Sequence, residues 1–176
     1  MKNRKLKKAS ITIIFSLMIL FCMFTATSKN VHAQEKDSND VKAIQKIITI
    51  QRNKGAKVSI NLDNKKQYKW SKKTGRLIEI NWAKKSLNGK INFNRLTGLK
   101  KIEISKNKVT EINIRKLKYL KVLICTNNKL TKINIKYNKR LGAIDCSNNK
   151  IKKLDVRKHK RLTGVYCSYN RLCKLY

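Results

Sequence analysis

From Leu99 onward, apolar and polar positions recur at a fixed spacing. Four lines begin at Leu99, Leu120, Leu141 and Leu162. They read LKKIEISKNKVTEINIRKLKY, LKVLICTNNKLTKINIKYNKR, LGAIDCSNNKIKKLDVRKHKR and LTGVYCSYNRLCKLY, a period of 21 residues with the last line short. The first, fourth, sixth and eleventh positions of each line are apolar or Cys, and the ninth is Asn. Ile102 and Ile104 alternate with Glu103, which predicts a short strand with one apolar face. Leu123 and Cys125, Ile144 and Cys146, and Val165 and Cys167 repeat that arrangement. A single unit of this size has nothing to bury its apolar face against, so the units must stack into one continuous core.

The pattern L-x-x-L-x-[I/C]-x-x-N-x-[L/V/I] at this period resembles the leucine-rich repeat superfamily, and within it the short repeats of bacterial surface and secreted proteins. The resemblance implies an α/β-type solenoid with one short parallel β-strand per coil and an irregular convex side. It also implies that Asn107, Asn128, Asn149 and Asn170 form an inward ladder of amides that satisfies backbone groups in neighbouring coils. Such groups need partners once water is excluded. That structural role outweighs any catalytic reading of these residues.

Upstream, Val41, Ile44, Ile47, Ile48 and Gln51 fall at helical spacing and predict a helix over 40–53, capped by Asn39 or Ser38. Gly55 suits its end. Val58, Ile60 and Leu62 alternate with Ser59 and Asn61, which reads as a strand. Tyr68 and Trp70 precede a turn at Ser71 to Gly75. This order looks like the amino-terminal cap of receptor-type leucine-rich repeats, so 34–76 is read as a cap region. Trp70 and Trp82 are assigned to cap and core. The repeats then run 77–98, 99–119, 120–140, 141–161 and, in part, 162–176. The first is irregular, with 22 residues and Lys85 where Asn is expected. The last line stops before its coil closes, which reads as truncation or as an end that docks on something.

The chain begins with Lys2, Arg4, Lys5, Lys7 and Lys8, then a mostly apolar run from Ile11 to Phe24, then Val31-His32-Ala33. That order reads as a secretory signal peptide over 1–33, cleaved after Ala33. An uncleaved anchor is the alternative. The apolar run is short for a membrane span, so no span is expected after cleavage. Cys22 follows Phe21 rather than a small residue, which argues against lipidation.

Charge changes the picture more than size does. Residues 34–176 carry 38 Lys or Arg against 9 acidic residues, a net of +29. A surface this basic favours polyanions. The predicted return segments 108–119, 129–140 and 150–161 hold sixteen of the cations against Glu111 and Asp155. Within them Arg157, Lys158, Lys160 and Arg161 are the densest run and are candidate polyanion contacts. His159, inside that run, is expected to be exposed. The outward positions of the strands are candidate ligand contacts, because the family binds ligands on its concave face. They include Glu103, Ile124, Thr126, Asp145, Tyr166, Ser168 and, just beyond, Tyr169.

Enzyme chemistry finds no support in the motifs. There is no Ser-His-Asp or Cys-His arrangement and no Gly-rich phosphate loop. Cys125, Cys146 and Cys167 share one inward position and read as buried thiols rather than disulfides or metal ligands. Metal motifs pair ligands two to four residues apart, and no such pair occurs. Cys173 is the expected exposed thiol. No cofactor and no sequence-specific nucleic acid are implied. Two functions remain open. One is a secreted or cell-surface module for a protein or glycan ligand. The other is a basic envelope protein held on anionic cell-wall polymer.

Overall fold

The computed structural model describes residues 34–175, with the side chains of Lys174 and Leu175 excepted. The signal-peptide reading of 1–33 lies outside these residues. Helix α1 spans Ser38–Arg52. Ten short strands follow: β1 Tyr68–Trp70, β2 Leu77–Asn81, β3 Asn88–Asn92, β4 Lys101–Glu103, β5 Lys108–Asn113, β6 Val122–Ile124, β7 Ala143–Asp145, β8 Lys153–Leu154, β9 Gly164–Tyr166 and β10 Lys174–Leu175.

One long sheet runs β1-β2-β4-β6-β7-β9. Its last five strands are parallel, one per coil. The register steps Lys101↔Val122↔Ala143↔Gly164, so each strand pairs with the residue one period later. Strand β1 closes the near edge antiparallel to β2. The far side of the coils is not wholly irregular, because β3 pairs with β5 and β8 with β10.

The core lies between the two sides. Leu99, Leu120 and Leu141 open their coils fully buried, as do Ile102, Leu123 and Ile144. Trp82 and Phe93 fill the first coil, with Tyr68 edge-on to Trp82. The asparagines behave as a ladder. Asn149 Nδ2 donates to the carbonyls of Cys125 (2.9 Å) and Cys146 (3.0 Å), and its Oδ1 accepts from the Leu130 amide (3.0 Å). Asn128 and Asn170 repeat this one coil to either side. With Lys85 in the first coil, the ladder begins at Asn107, which reaches back to Trp82 O and accepts from the Lys85 and Leu87 amides.

The cap departs from expectation in detail. The helix cap is Asp37, not Asn39 or Ser38, and its carboxylate accepts from the Asp40 amide. Asp40 itself is fully buried and holds Arg76 through two bonds (2.8 and 2.9 Å) and the Leu77 amide (2.9 Å). The start of α1 is thereby fixed to the start of the repeats. Residues 58–62 form no strand. Ser59 bonds Asn61, Asn61 bonds the Asp63 amide, and Gln67 and Tyr68 hold the Ser59 backbone. These local bonds occupy the groups that a strand would have paired.

Candidate functional site: a sheet face and a basic edge

Strand pairing sets the sequence-predicted ligand residues in register. Glu103, Ile124, Asp145 and Tyr166 form one row across β4, β6, β7 and β9. Ile124 is half-buried between two acids, and Tyr166 is 62% exposed at the far end. Beside that row run Val122, Ala143 and Gly164. A Cβ built on Gly164 would stand 3.4 Å from Tyr166 Cε2, so the missing side chain leaves room for the Tyr166 ring.

The two acids also serve their own backbone. Glu103 Oε1 accepts from the Ser105 amide (2.9 Å) and Asp145 Oδ1 from the Ser147 amide (3.1 Å). Thr126 is half-buried and Ser168 exposed, whereas Ser105, at the equivalent outward position, is buried. Lys106, Asn127, Asn148 and Tyr169 occupy one column, and all take positive φ near +55°. Asn tolerates that conformation better than most residues. Tyr169 adopts it as well, with 81% of its surface exposed.

A second surface lies where each coil turns back toward the long sheet. Residues 115–119, 136–140 and 157–161 read RKLKY, KYNKR and RKHKR. The middle residue of each is buried: Leu117, Asn138 and His159. The twelve residues flanking these three are all exposed, and they comprise ten Lys or Arg and two Tyr with no acid. Arg157, Lys158, Lys160 and Arg161 are the last third of this edge. The sixteen cations counted on the returns include all ten of this edge, but only these four stood out as candidate contacts, and the six of the two preceding coils did not. The 21-residue alignment held that signal, since Lys118, Lys139 and Lys160 share one column.

His159 is buried, contrary to expectation, because it takes the column of Asn138. Asn138 Nδ2 donates to Ile114 O and Leu117 O (both 2.9 Å). His159 Nε2 lies 2.9 Å from Ile135 O, which makes it the donor there. A second, shorter polar column thus stitches the basic edge together. Its outer surface is aromatic as well as cationic. Arg140 lies 4.8 Å from the Tyr119 ring centre, and Arg115 and Lys136 lie 5.2 and 5.5 Å from that of Tyr137. A hydrogen bond from Arg115, then the charge of Lys136, draws the Tyr137 hydroxyl below its ordinary pKa. Asp155, just outside the edge, chelates Arg157 and is held down to about 2 by it.

The four described thiols are free. Burial raises Cys125 well above the ordinary thiol and Cys146 to about 12. Cys173 is exposed, with its Sγ 3.1 Å from Lys152 O. Among the described residues no group of His, Cys, Asp or Glu is placed to hold a metal ion.

No protein-family model matches the chain, and no curated protein matches it. Solved structures do. The leucine-rich-repeat ectodomain of the receptor kinase SOBIR1 from Arabidopsis thaliana superposes with a TM-score of 0.50 at 20% identity, over 78% of this chain and 96% of that one. The functional domain of InlJ from Listeria monocytogenes, described as including a cysteine ladder, gives 0.37 at 22% identity, over 48% of this chain and 24% of that one. The first likeness agrees with the coil geometry: the fold is a leucine-rich-repeat solenoid.

Proposed function

We propose that this solenoid is a non-enzymatic interaction module of a secreted or surface-attached bacterial protein, and that it receives a protein or glycan ligand on the open face of its long sheet. The observation that supports it is the register-matched row Glu103–Ile124–Asp145–Tyr166, with Thr126, Ser168 and Tyr169 beside it. A rigid parallel sheet presents these side chains at fixed spacing, and exposed tyrosine is a frequent anchor of protein interfaces. Export rests on the basic, apolar and small-residue order of 1–33, with Gln34 as the first residue after cleavage. Among the described residues no helix is long and apolar enough to cross a membrane.

The test is a cross-linking pull-down from cell-surface extract with wild type and with a Tyr166→Ala, Ile124→Ala double variant. The proposal expects a partner that wild type captures and the double variant loses, while both unfold at the same temperature. Capture unaffected by the two changes would place the ligand elsewhere. Amino-terminal sequencing of exported protein should start at Gln34, and recovery of intact Met1 in membranes would favour an anchor.

A further inference from the structure

We infer that the basic edge is a binding site for a linear polymer of closely spaced phosphate groups that lacks bases, and that the polymer lies along the solenoid axis across three coils. The edge is a different surface from the sheet row. Its cations are columnar: Lys118, Lys139 and Lys160 stack on successive coils, and Arg140 and Arg161 stack beside them. Coils repeat at about the strand separation of 4.8 Å, so like charges face one another closely along the axis. Such pairs are destabilising when nothing neutralises them. A polymer along the column meets a cation at every coil, releases its counterions on binding and removes that repulsion.

Three further observations shape the ligand. The edge contains no acid, and Asp155 at its margin is engaged with Arg157. Its backbone is held by buried Asn138 and His159, so the cations project from a fixed frame. Its only aromatic side chains, Tyr119 and Tyr137, are packed with Arg140, Arg115 and Lys136. Single-stranded nucleic acids bind by stacking bases on open aromatic faces. Here the rings are engaged by cations, which favours a polymer read by charge alone. The exposed edge offers no aliphatic side chain for insertion into lipid.

Inorganic polyphosphate is the probe, titrated into the protein at several salt concentrations. One variant carries Lys118→Gln, Lys139→Gln and Lys160→Gln. A control of equal charge carries Lys42→Gln, Lys54→Gln and Lys57→Gln, three exposed positions in the cap region. The edge variant should bind at least tenfold more weakly than wild type with a flatter salt slope, and the control within about threefold of wild type. Circular dichroism should show all three folded alike. Equal losses in the two variants would mean net charge alone is read, and would overturn the site. A matched-charge oligonucleotide that bound tenfold tighter than polyphosphate would overturn the baseless ligand, and anionic vesicles outcompeting both would overturn the linear one. Tyr166→Ala with Ile124→Ala should leave polyphosphate binding unchanged. Loss of binding in that double variant would put the polymer on the sheet face and refute the edge.

Discussion

At the scale of single residues, the asparagine column decides whether the coils stack. Asn149 satisfies two carbonyls and one amide that water does not reach. Asn149→Leu would keep the volume but orphan the Leu130 amide, whereas Cys125 O and Cys146 O would keep their bonds from Asn128 and Asn170. A buried orphan costs about 1–3 kcal/mol, and a loss of that size is expected in urea unfolding. His159 makes the sharper comparison. His159→Leu should cost about 1 kcal/mol by removing one of the two bonds on Ile135 O, which keeps that of the Asn138 amide, whereas His159→Asn should recover most of it, since Asn138 does the same work one coil earlier. These two columns differ in how plainly the sequence shows them. Asn107, Asn128, Asn149 and Asn170 repeat one residue type and announce themselves. Leu117, Asn138 and His159 share a position but not a type, and the cations around His159 masked its burial. Thiol chemistry follows the same burial: a thiol reagent on native protein should modify Cys173 first and Cys125 and Cys146 last. Equal rates at all four would contradict the packing.

Among the elements, the joint between α1 and the first repeat is the most exposed to single changes. Asp40 is wholly buried against Arg76, and Asp40→Ala would leave that guanidinium without its main partner. Arg76 is partly exposed and stays near Asp37, so the cost is mainly the lost bond to the buried Leu77 amide, about 1–3 kcal/mol, and thermal unfolding of the variant checks it. Gly75 has φ +64°, and a Cβ there would collide with Glu35 O. Its amide-to-Ser71 turn therefore needs glycine. The helix was legible because its apolar residues keep one period, to within two residues at either end. The strand read at 58–62 was not there, because Ser59, Asn61 and Gln67 bond locally, and alternation alone does not reveal that competition. In the repeats the register was legible throughout. Ile144→Asp tests it, since an unpaired charge between the flanking coils should unfold the array.

For the molecule as a whole, charge is distributed unevenly. From Ile112 onward eighteen Lys or Arg face only Asp145 and Asp155. Self-repulsion of that size should be relieved by screening. The unfolding temperature should therefore rise as the Debye length shrinks from about 30 Å at 0.01 M salt to about 8 Å at 0.15 M. A protein stabilised mainly by surface ion pairs would show the reverse. The sheet row was legible from the alternation of each repeat, because side chains on a strand change face at every residue. The edge needed three coils laid side by side, since its density belongs to the stack and to no single segment. The two surfaces are proposed to be separate sites on one scaffold. The most direct test is an amide NMR titration with polyphosphate. Shifts should be confined to residues 115–119, 136–140 and 157–161, with the amides of Val122–Ile124, Ala143–Asp145 and Gly164–Tyr166 unmoved. Perturbation centred on those strands, or spread evenly over all the lysines, would contradict it.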